Sequence, residues 1–132
     1  SHRGPIISEI HRDAKALNKA ISFRWTEFDA FDETTGLFML AKAKNWEDFN
    51  EASKLFGAPG QNWTYADKEG NIGWRPSTKI PIRLDADKLV PFDGTTTKYD
   101  WQGYIPFDEM PFSFNPEKGY ISNGNNKIVG NE

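Results

Sequence analysis

A chain of 132 residues is the length of one ordinary domain or of a piece of a larger protein. A formal charge of -3, a pI near 5.4 and dispersed basic residues exclude a nucleic-acid footprint, and zero cysteines exclude disulfides, thiolate metal sites and a Cys nucleophile. No apolar run approaches the roughly 18–20 residues of a membrane-spanning helix, and the N-terminus carries no signal-peptide pattern.

The core must be built largely from aromatic side chains. Hydrophobic residues make up 37% and aromatic residues 14%, with 10 Phe, 5 Trp and 4 Tyr, and mean hydropathy is -0.70. Each aromatic ring can bury roughly 150–250 Å², which offsets the shortage of aliphatic residues. In chain order, Pro5–Ile10 is β-like and Ile21–Thr26 alternates apolar and polar, with the polar stretch 13–19 as a candidate hairpin loop. Thr34-Thr35-Gly36 then opens Leu-Phe-Met-Leu-Ala, which predicts a short buried helix with its cap at Thr34 or Thr35.

The clearest helix spans Trp46–Phe56. Asn45 is a suitable N-cap, and Glu47 and Asp48 occupy the first turn, where the helix dipole favours negative charge. Trp46, Phe49, Ala52 (or Ser53) and Phe56 recur at a spacing of three to four, one apolar stripe. Lys54, Gly57 and Pro59 end it. A hairpin follows, with Gln61–Asp67 and Ile72–Arg75 as strands around a Lys68-Glu69-Gly70-Asn71 turn. Residues 76–119 are rich in Pro, Asp, Gly and Thr and read as irregular, with a last strand at Gly119–Ser122.

That strand leads into Asn123-Gly124-Asn125-Asn126. Asparagine competes with the backbone for hydrogen bonds, so the cluster marks a loop. It has two readings: an Asn/Gly turn, or an amide aimed at a developing oxyanion in acyl transfer. Both chain ends, Ser-His-Arg-Gly-Pro and Val-Gly-Asn-Glu, read as cut from something longer.

Six strings of this sequence resemble the penicillin acylase family, in its order and at roughly its spacing. They are Lys44-Asn45-Trp46, Gln61–Asp67, Gly70–Gly73, Trp101–Glu109, Asn115-Pro116 and Gly119–Asn126. The resemblance covers essentially the whole chain and implies an internal segment of the nucleophile-bearing (β) chain. It implies an α+β fold, part of the four-layer αββα sandwich of an N-terminal-nucleophile hydrolase, with 1–132 as a single fragment. In such enzymes a serine at a new N-terminus attacks an amide, its own α-amine serving as base; the ordinary pKa of that amine, about 7.7–8.0, suits the task. Ser1 opens a stretch that matches an interior strand region of the family, so the resemblance places the nucleophile outside this chain.

The resemblance also assigns sites. Asn125 matches the oxyanion-hole side chain, and Asn123 and Asn126 shape the loop. Leu37 and Gln61 match positions lining the acyl pocket; their plain alternatives are a core leucine and a strand-end residue. Gln61 is polar where the family is usually apolar, which argues against a phenylacetyl preference. Trp46, Trp63, Trp74 and Trp101 read as core or sheet-cover residues. His2 and His11 lack a carboxylate pattern for a metal site, so no metal or cofactor is expected in this segment. Structural calcium in the full-length enzyme is an implication of the family, with Asp85 and Asp87 near such a contact. Implied partners are the α chain, the rest of the β chain and a small acyl-amide substrate, with neither nucleic acid nor membrane, in a periplasmic or extracellular setting. On this reading the chain alone is catalytically silent. The alternative is a secreted carbohydrate-binding module that stacks sugars on its tryptophans.

Overall fold

The computed structural model describes residues 2–29, 31–83 and 90–125. They form an α+β arrangement of two compact units, one from 1–29 with 81–104 and the other from 30–80 with 105–132.

In the first unit the expected strands shrink to a single antiparallel bridge, Ile6 to Ser22, flanked by Ile7 N–H to Ile21 O (2.8 Å) and Phe23 N–H to Pro5 O (2.9 Å). The connection read as a loop contains a short helix α1, Arg12–Ala16, which buries Ala14. A second bridge joins Pro81 to Tyr104. Ion pairs hold the irregular backbone. Arg3 donates to Asp100 at 2.6 and 3.0 Å and to the carbonyls of Gly94 and Thr96. Arg24 grips both oxygens of Asp29 at 2.7 Å and lies 4.5 Å over the Trp101 ring, and the Tyr104 hydroxyl donates to the same carboxylate. Phe23, Trp25 and Phe28 pack around the 3-10 turn Thr26–Phe28, the last two edge-to-face at 5.8 Å.

The second unit follows the sequence closely. Helix α2 spans Glu33–Lys42 and α3 spans Trp46–Ser53; β1 (Gln61–Ala66) and β2 (Ile72–Ser77) form the hairpin, and β3 (Ser113–Phe114) pairs with β2. All three strands are antiparallel, in the order β1-β2-β3. Asn45 caps α3 as expected, its side chain accepting from Asp48 N–H at 2.8 Å. The helix ends at Ser53, three residues short of the expected Phe56, and passes into a turn at Lys54-Leu55, yet Phe56 is still buried.

Three expectations are corrected here. The cap of α2 is Asp32, which accepts from Thr35 N–H at 3.2 Å, rather than a threonine. The helix is also not buried: Leu37 is 55% and Phe38 65% exposed, and only Gly36 is buried, beneath the Phe56 ring. An apolar run signals burial only where packing partners exist, and this helix has them on one side alone. Residues 119–122 form no strand; the third strand lies earlier, at 113–114, because Asn115 ties the backbone there to Ile72 through bonds of 2.8 and 2.9 Å.

Strand alternation sorts the hairpin into two faces. Trp63, Tyr65, Gly73 and Arg75 share one face by register, and α3 covers it. Trp46 stacks on Phe114 at 4.8 Å and Phe49 at 5.3 Å and meets Tyr65 edge-on. Gly73 lies directly under the Trp46 ring, where any Cβ would collide with it. Arg75, 4% exposed, donates to the carbonyls of Met110 and Phe107 at 3.1 and 2.7 Å and lies 3.9 Å over the Phe107 ring. Burial pushes its pKa down.

Gly73→Ala should therefore lower stability by about 1–3 kcal/mol, the usual cost of overpacking, in urea unfolding of the intact protein. A midpoint unchanged from wild type would refute this packing.

Acid should loosen both units. Asn71, through its side-chain and backbone N–H groups, and the Tyr65 hydroxyl hold the Asp67 carboxyl below its ordinary value. Tyr104 and Arg24 do the same for Asp29, and Arg3 for Asp100. A lowered folded-state pKa gives stability that is complete above the unfolded value of about 3.9 and lost as pH falls through the folded one. Asp67→Asn should be less stable than wild type at neutral pH, the gap closing toward pH 2–3 in thermal unfolding. A gap independent of pH would count against the assignment.

Candidate functional site

The hairpin face opposite α3 carries Asn62, Thr64, Trp74 and Pro76. Asn62 pairs with Pro76 across the ladder, which puts Trp74 on the diagonal of the same face, within reach of a long side chain. The indole Nε1–H of Trp74 donates to Asn62 Oδ1 at 3.0 Å. The other end of that amide, Nδ2, donates to Asn125 Oδ1 at 3.3 Å. Three side chains from two strands and a distant loop thus form one hydrogen-bonded line.

Asn125 is held from the backbone side as well. Its N–H donates to Asn123 Oδ1 at 2.9 Å, an Asx turn, and its φ of 55° lies in the left-handed region that asparagine tolerates better than most residues. The turn reading and the directed-amide reading are therefore both satisfied by the same loop. Beneath it a small cavity of about 180 Å³ is lined by Trp74, Ser113, Lys118, Ile121, Ser122 and Asn123. It is smaller than the roughly 300–1,000 Å³ of an ordinary ligand pocket.

Gln61 opens β1 beside Asn62, so it is one residue from the group that holds Asn125; it is exposed. Leu37 belongs to another element, on the exposed side of α2. Asn126, Ser1, Asp85 and Asp87 lie outside the described residues. Among the described residues, no group of three or more His, Cys, Asp or Glu side chains is placed to hold a metal ion. His2 lies 3.2 Å from Asp100, beside Arg3.

A larger cavity, about 800 Å³, belongs to the first unit, with walls that include Phe23, Phe92, Tyr99 and Trp101. Size alone would favour it. Two of its arginines are already engaged, Arg3 by Asp100 and backbone carbonyls and Arg24 by Asp29; His2, His11 and Trp101 line it, but Asn125, Gln61 and Leu37 do not. The neutral amide line of the second unit has the more specific chemistry: its bonds are directional and carry no charge.

Sequence reasoning reached Asn125 but passed over Asn62, and took Trp74 for a sheet cover. The available signal was the hairpin register. A polar residue and a tryptophan two positions off directly opposite share a face, and the indole N–H of a part-buried Trp needs an acceptor.

The penicillin amidase family model matches residues 1–132. Penicillin G acylase of Escherichia coli is 44% identical over 87 residues, 64% of this chain and 10% of that protein. Acyl-homoserine lactone acylase QuiP of Pseudomonas fluorescens is 26% identical over 129 residues, 98% of this chain and 16% of that protein. Among solved structures, a thermostable penicillin G acylase from Alcaligenes faecalis is similar at a TM-score of 0.80 and 32% identity, covering 100% of this chain and 23% of that one. The chain therefore spans only a small part of the length of the relatives it matches.

Proposed function

The chain belongs to the penicillin amidase family, and on that premise we propose that it is a segment of an amidohydrolase that cleaves acylated amines through a serine acyl-enzyme. In this reading the segment supplies one donor of the oxyanion hole, Asn125, and part of the acyl-pocket wall, Gln61 and Leu37. The nucleophilic serine, with its α-amine as base, comes from another part of the enzyme. The assembled protein is an αββα sandwich acting in the periplasm or outside the cell, with any structural calcium held mainly by ligands elsewhere.

The observation that carries this reading is the amide line. As the scissile carbonyl becomes tetrahedral, its oxygen gains charge, and a donor already aimed at it needs no reorganisation at that moment. With Oδ1 of Asn125 bonded to Asn62, Nδ2 is the end of the amide turned to a reacting group. A neutral donor also leaves the α-amine pKa undisturbed, which a nearby cation would lower.

Asn125→Ala in the complete enzyme should reduce kcat on a chromogenic acyl anilide by about 10²–10³, the usual cost of losing one oxyanion donor, with KM nearly unchanged. Wild-type kcat in that variant would overturn the reading.

The matched relatives are named for two acyl classes, penicillin G and acyl-homoserine lactones. With a polar Gln61 at the pocket wall, Gln61→Leu should raise kcat/KM for a phenylacetyl amide by about tenfold, in keeping with 1–3 kcal/mol for a gained apolar contact. An unchanged kcat/KM for phenylacetyl and straight-chain acyl substrates alike would remove Gln61 from the pocket.

A further inference from the structure

An asparagine side chain offers two nearly isosteric ends, of which only one can stabilise an oxyanion. Asn125 must therefore be held the right way round as well as in the right place. Among the described residues, the loop itself contributes the Asx turn to Asn123, which uses the backbone N–H of Asn125 and not its carboxamide. The bond to the carboxamide comes from outside the loop, from Asn62.

We propose that Trp74 and Asn62 are positioning residues that lock the Asn125 carboxamide with Nδ2 as the presented donor. An indole Nε1–H is a donor and nothing else, so the Asn62 atom 3.0 Å from it must be the acceptor Oδ1. That choice fixes the opposite end of Asn62 as Nδ2, two N–H donors, and the Asn125 atom 3.3 Å away must in turn be its acceptor, Oδ1. Nδ2 of Asn125 is then the only end left to face the substrate. One ring N–H on β2 sets the polarity of two amides in succession, the second of them on a loop 51 residues further along the chain.

The strands are suited to the task. Asn62 and Trp74 sit on a paired ladder whose other face is locked under α3, so neither backbone can drift. The inference rests on the oxyanion reading of Asn125 and goes beyond it, because that reading alone assigns no role to either strand residue.

The test uses the complete enzyme and a chromogenic acyl anilide, with kcat and KM measured separately and unfolding midpoints recorded for each variant. Asn62→Asp is the sharpest change. A carboxylate can still accept from Trp74 but cannot donate, so it should pull Nδ2 of Asn125 toward itself and reverse the amide. Expected is a fall in kcat of about 10²-fold with KM nearly unchanged, approaching the loss in Asn125→Ala. Trp74→Phe keeps a flat ring and removes the N–H; it leaves both amide orientations open and should cost kcat about two- to tenfold, the worth of one ordinary hydrogen bond. It also serves if Asn62→Asp fails to fold.

Neither change should lower kcat further in an Asn125→Ala background, a non-additivity that a general structural defect would not give. If Asn125→Ala is strongly impaired while Asn62→Asp and Trp74→Phe keep wild-type kcat, the positioning role is overturned and the oxyanion reading stands. If Asn125→Ala itself keeps wild-type kcat, both fall together.

Discussion

The second unit is organised by one missing side chain. Gly73 has no Cβ, so the Trp46 ring settles directly on the backbone of β2, and α3 comes down onto the sheet at that point. Phe49, Tyr65 and Phe114 gather round the same indole. The stack covers the Trp63–Tyr65 side of the hairpin, with Arg75 packed beside it through cation–π and carbonyl contacts instead of an ion pair. A period of two then puts Asn62, Thr64 and Trp74 on the opposite face, with Pro76 fully buried at its end.

The two faces use different physics. The α3 side is dry aromatic packing, strong because of area and indifferent to direction. The other side relies on direction, since three polar groups in line hold an amide by the sense of their hydrogen bonds. Neutral groups suit that work, as their orientation does not change with protonation. Charged clasps are found elsewhere, in the first unit and in the Asp67 turn, where they fix backbone with no regular ladder to hold it.

Much of the second unit was legible in the residues. The Asn45 cap, the Trp46-Phe49-Ala52-Phe56 stripe and the Gly70-Asn71 turn are local signals, and each element appeared where its chemistry pointed. The misses share a cause. Leu37 and Phe38 look like core residues, but burial depends on a partner that periodicity cannot supply. Pro5–Ile10 and Ile21–Thr26 have strand composition, yet they pair through a single bridge, because pairing is decided by the partner segment and not by propensity. Ser113–Phe114 carries no strand pattern at all and is drawn into the sheet by the Asn115 side chain. Asn125 was singled out through resemblance, whereas its hydrogen-bonded connection to Trp74 through Asn62 required the register.

The placement of β3 has a bearing on assembly. The β1–β2 hairpin and the helix before it are contiguous, so they can form from local contacts as soon as that stretch of chain is available. Their sheet is then incomplete: the outer rim of β2 stays unpaired until Ser113–Phe114 returns from the long excursion that contributes to the first unit. During that interval an open strand edge beside an aromatic cluster is a template for a second nascent chain. The short, two-residue β3 therefore acts as a latch on the Gly73-Trp74 stretch of that edge, the part that lies against the aromatic cluster.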